Sequence, residues 1–249
     1  MDRDTFRKLF KTPGAAILPV IHTLDVTQAT SNIRIAMREG AQGVFLINHD
    51  FEYEQLLPIL RDVRRAFPWL WLGVNFLGVT GARAFPVLGD LQRNNCAIDA
   101  YWADDARIDE RADVQSEAQE IDRLRKASGW RGLYFGGTAF KKQREVAPEH
   151  FRRAATLACD HMDVVTTSGA ATGQAADLGK IRTFRSACGD QPVAIASGVT
   201  PDNIAQYASL LDAILIATGI NRPSDFYNID PERLRTVVRR ARSIGLGED

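Results

Sequence analysis

The sequence predicts a single α/β domain folded as a closed (β/α)8 TIM barrel, and three observations lead to this fold class. Short apolar runs alternate with longer segments of helical period, which is typical of parallel strands joined by crossover helices. Eight such units occur in 249 residues, the usual size of this barrel. The first strand candidate is not followed by the G-x-G-x-x-G turn expected of a doubly wound open sheet.

The strand candidates are apolar on both faces, as in a sheet that helices cover on both sides. They are Ala16–Ile21, Gly43–Asn48, Leu70–Phe76, Ala100–Asp104, Gly132–Phe135, Val164–Thr167, Pro192–Ala196 and Ala213–Thr218. Three of the even-numbered candidates follow an aspartate directly, namely Asp99, Asp163 and Asp212. The repeat indicates a quasi-regular spacing of the even-numbered strands.

Helix candidates lie between the strands, at Glu54–Ala66, Arg111–Ala127, Pro148–Cys159, Asp177–Cys188 and Pro231–Ser243. Asp230 and Pro231 are the residue types preferred where a helix begins. Thr200-Pro201-Asp202 predicts the start of the seventh helix by the same reasoning.

The chain has no linker rich in Pro, Gly or Ser. Residues 16–249 are therefore predicted to form the barrel domain, and residues 1–15 an N-terminal extension that either caps the barrel bottom or remains mobile.

Charge and composition restrict the partners. Lys plus Arg and Asp plus Glu number 31 each, so the chain has no net field to attract nucleic acid or an anionic membrane. The N-terminus lacks the apolar run of a secretory signal, and no apolar stretch reaches membrane-spanning length. Three distant cysteines without C-x-x-C spacing indicate reduced thiols. We expect a cytoplasmic protein without membrane insertion, and a homo-oligomer stays an open alternative.

Active sites of such barrels lie at the carboxyl ends of the strands, so the polar residues there are the candidates for catalysis. Each has an ordinary structural explanation when taken alone, such as a helix cap or a solvated lysine. Taken together they predict a polar mouth, because buried polar groups without partners cost free energy. The predicted catalytic residues are His22, Asn48, Asn75, Asp104, Lys141 and Thr167.

Small residues follow three successive strands and predict an anion site. Glycine lets backbone amides approach an anion closely, and helix amino termini beyond the loops would add positive potential. The predicted phosphate-binding residues are Ser168, Gly169, Thr172, Gly173, Ser197, Gly198, Val199, Thr218, Gly219 and Ile220. The alternative is that these glycines only turn the chain. The segment Ile220–Asn228 is long enough for a short extra helix aimed at the same anion.

The sequence lacks the motifs of metal-dependent and serine-nucleophile catalysis. The sequence has neither H-E-x-x-H nor G-x-S-x-G, so we expect no dedicated metal site, no cofactor and no serine nucleophile. Asp104 remains a possible contact for Mg²⁺ brought by a substrate phosphate. Lys141 lies several residues beyond its strand and is expected to neutralise an anionic substrate rather than form a Schiff base.

Three segments of the C-terminal half resemble the BtpA/SgcQ family of ribulose-phosphate-binding-type barrels: Asp163–Gly173, Ala196–Asn203 and Asn228–Arg233. The resemblance extends over roughly Asp163 to Arg242, and Val20–His22 and Gly73–Phe76 are similar to the family's first and third strands. It implies the barrel fold and a small phosphorylated ligand.

This chain also departs from the family pattern. His22 is not followed by the family's long loop rich in proline and glycine. Gly137 and Ala139 stand where the family tends to have Asp and His, and Asn221 stands where Lys is common. We therefore identify the chain as a divergent member and expect a different substrate.

Two hypotheses on function follow. The first is an enzyme, an isomerase, lyase or transferase, that acts on a sugar phosphate or a nucleotide-like molecule. Asp104 and His22 would then transfer protons while Lys141 and Asn75 polarise the substrate. The second is a non-catalytic assembly or stability factor, as the family's link to photosystem I accumulation suggests. Its partner surface would be an apolar patch such as Trp69–Trp71, although two tryptophans beside a strand start more often pack at the barrel bottom or against a helix.

Overall fold

The structure, a computed structural model, describes residues 1–141, 143–171 and 173–247. Within them, eight parallel strands pair in chain order, and the eighth pairs with the first to close the barrel. The strands are β1 (Ala16–Thr23), β2 (Val44–Asn48), β3 (Leu72–Asn75), β4 (Ala100–Ala103), β5 (Leu133–Gly137), β6 (Val164–Thr167), β7 (Val193–Ala196) and β8 (Ala213–Ile216). The predicted fold class is confirmed.

Helices connect the strands on the outside of the barrel. They are α1 (Arg3–Phe10), α2 (Val26–Arg38), α3 (Tyr53–Ala66), α4 (Gly81–Arg93), α5 (Ser116–Ser128), α6 (Phe151–Ala158), α7 (Leu178–Cys188), α8 (Ile204–Tyr207) and α9 (Pro231–Leu246). α5 begins later than predicted, because the Gln115 side chain binds both the N–H and the C=O of Asp109 and holds the preceding residues as a loop. None of the helices in the described residues is both long and apolar enough to cross a membrane.

Side chains alternate between the inside and the outside of the barrel along each strand, as the period of two in a β-strand requires. The inward residues form one apolar cluster inside the barrel, which includes Leu18, Val20, Phe45, Ile47, Trp102, Phe135, Val164 and Leu215. The outward residues pack under the helices in a second cluster, which includes Ile17, Ile21, Leu46, Val165 and Ile214. The same alternation decides which strand-end residues reach the mouth.

The N-terminal helix closes the bottom of the barrel. Its Asp2 cap accepts a hydrogen bond from the Thr5 N–H at 2.7 Å. Phe6 and Phe10 are buried; the Phe6 ring lies 6.3 Å from that of Phe135, and the Phe10 ring lies 4.9 Å from that of Trp71.

The three aspartates that precede strands share one arrangement at the bottom of the barrel. Each accepts a hydrogen bond from a backbone N–H at or near the start of the preceding strand and pairs with one arginine of a neighbouring helix. The pairs are Arg64–Asp99 at 2.7 Å, Arg125–Asp163 at 2.5 Å and Arg185–Asp212 at 2.7 Å. Asp212 is fully buried and also accepts a hydrogen bond from Arg3 Nε at 2.8 Å. The repeat seen in the sequence thus ties neighbouring strands to the outer helices.

The tryptophans near β3 divide between surface and interior. Trp69 is 67% exposed, whereas the Trp71 ring lies 5.6 Å from that of Phe45 inside the barrel bottom. The segment Trp69–Trp71 therefore does not form one apolar patch.

Two expectations about helices are wrong. α8 begins at Ile204 rather than at Pro201 and is a single turn. The Asn203 side chain accepts a hydrogen bond from the Thr200 N–H at 2.8 Å, which holds residues 200–203 as a turn.

The segment after β8 also contains no extra helix. Asn221 and Ile229 form an antiparallel bridge, and Asp225 Oδ1 accepts hydrogen bonds from the N–H groups of Tyr227 and Asn228 at 2.8 and 3.0 Å. This side chain stabilises a turn at the expense of a helix. We call residues 221–229 the β8–α9 loop.

Candidate functional site

An open cleft lies at the carboxyl end of the strands. Inward-facing residues of the strands line it below, among them Val20, Ile47, Trp102 and Leu215. Among the predicted site residues, it brings together His22, Asp104, Lys141, Gly173, Ser197, Gly198, Val199, Thr218 and Gly219. Three of the six predicted catalytic residues and six of the ten predicted phosphate-binding residues therefore meet in one cavity.

His22 is held in a fixed orientation at the edge of this cleft. It is 8% exposed, and its Nδ1 lies 3.0 Å from the carbonyl oxygen of Phe226. The Phe226 ring stacks on the imidazole with 3.8 Å between ring centres. Because a carbonyl only accepts, Nδ1 carries the proton, and Nε2 of the neutral ring is an acceptor.

Burial is the main reason why the pKa of His22 is lowered from 6.5 to about 4. The hydrogen bond to the Phe226 carbonyl opposes this shift but does not cancel it. His22 is therefore neutral at pH 7 and able to accept a proton at Nε2.

Asp104 and Asn75 form a buried polar pair. Asn75 Nδ2 donates to Asp104 Oδ1 at 3.1 Å, and the two residues are 1% and 6% exposed. Asp104 lies two residues beyond Trp102 on the same face of β4, so both line the cleft. Asn75 contacts the cleft only through Asp104 and acts as a positioning residue for that carboxylate.

The loops after β7 and β8 present unusual backbone. Ser197 and Gly198 have φ values of 133° and 72°, in the range that L side chains rarely adopt. A Cβ at Gly198 would lie 1.9 Å from the carbonyl oxygen of Gln174, and one at Gly219 would lie 1.9 Å from that of Val199. Both positions therefore require glycine because the backbones of neighbouring loops approach so closely.

These loops also hold a group of unused backbone donors. The N–H groups of Gly198, Val199, Thr218 and Gly219 donate no hydrogen bond to any acceptor within the described residues. All four residues line the cleft. We call this group the amide cup. The helix that follows the β7 loop, α8, has only one turn, so the long helix expected there from the sequence is not formed.

Several predicted residues lie away from the cleft. Asn48 and Thr167 are in phase with the outward residues Leu46 and Val165. Asn48 Nδ2 donates to the Phe51 carbonyl at 2.8 Å, and Asn48 Oδ1 accepts from the Leu77 N–H at 3.0 Å, so this side chain braces two loops. Thr167 Oγ1 is buried, 3.4 Å from the Ala139 carbonyl.

Three further residues predicted to bind phosphate, Ser168, Gly169 and Ile220, do not line the cleft. Ser168 and Gly169 line a neighbouring cavity between the loops after β5 and β6. The amide of Ile220 is already used, since it donates to the Ala217 carbonyl at 2.9 Å. Thr172 lies outside the described residues.

Four residues at or beside the mouth were not predicted. His49, Trp102 and Phe226 line the cleft. Counting in steps of two from the buried strand centre would have selected His49 in place of Asn48, and Trp102 together with Asp104. No sequence signal marks Phe226, because the turn that carries it was predicted as a helix.

Lys180 is the fourth of these residues, and it links the loops after β5 and β6. Its Nζ donates to the carbonyl oxygens of Ala139 and Ser168 at 2.6 and 2.8 Å. Burial lowers its pKa to about 8. Ser168 Oγ in turn accepts from the N–H of Lys141 at 2.9 Å, so Lys180 fixes the loop that carries Lys141.

Comparison with known proteins agrees with this description. The structure is similar to the tryptophan synthase alpha chain of Legionella pneumophila, with a TM-score of 0.66, 15% identity, and 98% and 99% of the two chains covered. It is also similar to phosphoribosylanthranilate isomerase of Thermotoga maritima, with a TM-score of 0.58, 12% identity, and 91% and 98% covered. The molecule is a (β/α)8 barrel, the fold that these structures share with it.

The family can be stated more narrowly. The model of the BtpA family matches residues 72–243, well over half of the chain, and the protein belongs to this family. The resemblance found in the sequence is confirmed. No curated protein matches the chain.

Proposed function

We propose that the protein is an enzyme that binds the phosphate group of a small metabolite in the amide cup and transfers a proton on the rest of that molecule. The observation that carries the proposal is the set of four backbone donors without acceptors in the described residues, all at the edge of one cleft. Backbone N–H groups held by rigid loops suit phosphate oxygens, which accept several hydrogen bonds at once.

The proton-transfer groups lie in the same cleft. His22 offers Nε2 as an acceptor, and Asp104 supplies a carboxylate oriented by Asn75. A bound phosphate would add negative charge near His22 and raise its pKa from about 4 towards neutrality. The imidazole would then take a proton from the substrate more readily, and a pKa near neutrality still lets it return that proton to another atom of the same molecule, as isomerisation requires.

Ligand-induced thermal stabilisation tests the proposal, because a ligand that binds only the folded state raises its stability. Inorganic phosphate, sugar phosphates and nucleoside monophosphates are the probes. We expect a phosphate ester to raise the Tm, and Gly198→Ala and Gly219→Ala to abolish the rise by displacing the cup.

Gly129→Ala is the matched control. Gly129 also has a positive φ, 69°, but lies at the end of α5 with no atom near its Cβ position. This variant should lose some stability and keep the ligand response. No Tm rise with any phosphate compound would contradict the proposal and favour the non-catalytic hypothesis, in which the cleft is a relic.

A further inference from the structure

Trp102 carries a buried donor that the protein itself does not satisfy. The residue is 5% exposed and its ring packs against Phe45 and Phe140. Its Nε1 has no hydrogen-bond partner in the described residues. Buried donors of this kind are rare in folded proteins because leaving one unpaired costs free energy.

A second tryptophan shows that this is not a general property of indoles in the barrel. Trp130 is also 5% exposed, and its Nε1 donates to the Ile98 carbonyl at 2.9 Å. Trp130 lies away from the mouth, and Trp102 lines the cleft. The unpaired indole is thus the one beside the candidate site.

The position of Trp102 relative to the amide cup indicates which end of a ligand it would contact. Trp102 is on β4, and the cup follows β7 and β8. In a ring of eight strands β4 lies opposite β8. A ligand with phosphate in the cup therefore presents its other end to Trp102, across the mouth.

The chemistry of that end follows from the groups around it. An indole N–H can only donate, and the ammonium group of Lys141, which lines the same cleft, can only donate as well. An sp² oxygen of a carbonyl or carboxylate accepts from both and needs no acceptor in return. A hydroxyl at this place would also have to donate its own proton, for which Asp104 is an acceptor in this cleft, so it would use one donor and one acceptor where the sp² oxygen uses both donors.

We infer that Trp102 is a specificity-determining residue, and that the substrate is a phosphate ester with a carbonyl or carboxylate oxygen at the end opposite its phosphate. This inference rests on the proposed function and names its substrate class. Ser197, whose buried Oγ also has no partner in the described residues, lines the cleft at the phosphate end.

Matched pairs of probes test the inference. 6-Phosphogluconate and sorbitol 6-phosphate differ only in the carboxylate, and ribulose 5-phosphate and ribitol 5-phosphate differ only in the carbonyl. We expect the member with the sp² oxygen to bind ~10-fold more tightly in at least one pair, as for a hydrogen bond to a charged or strongly polar acceptor. Trp102→Phe should remove this ratio while the affinity for the alcohol stays unchanged.

Two controls separate binding from folding. Trp130→Phe should lower the Tm and keep the affinity ratio. In the wild-type protein, the ¹H–¹⁵N indole signal that disappears in Trp102→Phe should shift when the preferred probe is added, and the Trp130 signal should stay. The indole signal is followed in the wild-type protein, so this test does not require that any variant bind the probe.

The outcomes distinguish the two proposals. Equal affinities within both pairs, or an unmoved Trp102 signal on binding, would overturn the inference and leave phosphate binding intact. Failure of all four probes and of inorganic phosphate to bind would overturn the proposed function and this inference together.

Discussion

At the bottom of the barrel most polar groups pair with one another, whereas at the mouth several have no hydrogen-bond partner within the described residues. Asp212 at the bottom is surrounded by Arg3, Arg7 and Arg185. At the mouth, Trp102 Nε1, Ser197 Oγ and the amide cup have no partner in the described residues. Arg7 Nε is an unpaired atom at the bottom, so the contrast is one of degree. The contrast agrees with a bottom that serves stability and, under the function proposed above, a mouth that binds a ligand.

The largest expected effect is at the bottom, where Asp212→Ala leaves Arg185 buried without its carboxylate and the Val193 N–H without its acceptor. We expect a loss of ~3–5 kcal/mol in the free energy of unfolding, measured by urea denaturation. Asp62→Ala, which breaks an exposed pair with Arg65, should cost less than ~1 kcal/mol. A loss below ~1 kcal/mol for Asp212→Ala would contradict the idea that the paired polar groups at the bottom stabilise the barrel.

At the mouth, we expect the buried His22 to affect how the free energy of unfolding depends on pH. The pKa of His22 is lowered from 6.5 to about 4 in the folded protein. Between these values the unfolded chain binds a proton that the folded chain does not, so stability falls as the pH decreases from 6.5 to 4. The full loss is about 3 kcal/mol, and none of it applies above pH 6.5.

His22→Gln removes this contribution. Its stability should fall about 2–3 kcal/mol less than that of the wild type between pH 7 and pH 4.5, as measured by urea denaturation. His150→Gln, at an exposed position, should keep the wild-type slope. Identical slopes for wild type and His22→Gln would show that the imidazole is not desolvated.

Lys180→Met tests the loops beside the cleft. The variant leaves the carbonyls of Ala139 and Ser168 without their donor, which costs ~1–3 kcal/mol at pH 7. Because the pKa of Lys180 is lowered to about 8 from 10.5, the folded state loses this proton first. The wild type should therefore gain stability relative to the variant as the pH rises from 8 to 10.5. Lys126→Met, at an exposed site, should show neither effect.

The smallest expected effect compares two tryptophans. Trp102→Phe and Trp130→Phe remove the same atoms, but only Trp130 loses a hydrogen bond. Trp130→Phe should be less stable than Trp102→Phe by ~1 kcal/mol in parallel urea denaturations. Equal losses would mean that the Trp102 indole is satisfied in the folded protein.

The sequence was sufficient for the barrel, because its apolar runs and turn residues agree along the whole chain. It located the mouth because strand ends carry the polar residues in this architecture. Asn48 and Thr167 lie away from the cleft for one physical reason, since residues next to one another in a strand face opposite sides. Applying that alternation outward from Ile47 gives His49 directly.

Other parts of the site lay beyond sequence reasoning. The stacking of Phe226 on His22 depends on a turn that the Asp225 side chain stabilises against a helix. The lowered pKa of Lys180 depends on contacts across two loops far apart in the chain. Such long-range contacts leave no local pattern in a single sequence.

The amide cup is made of main chain, whereas the opposite wall of the cleft is made of side chains. Backbone N–H groups remain after most mutations, and only the close approaches at Gly198 and Gly219 restrict the residue type. A single substitution at Trp102, Asp104 or Lys141, by contrast, removes the group that the side chain supplies. Under the proposed function, substitutions among related barrels can therefore change which chemical group is recognised beside Trp102. Binding of the phosphate by the backbone of the amide cup would be retained.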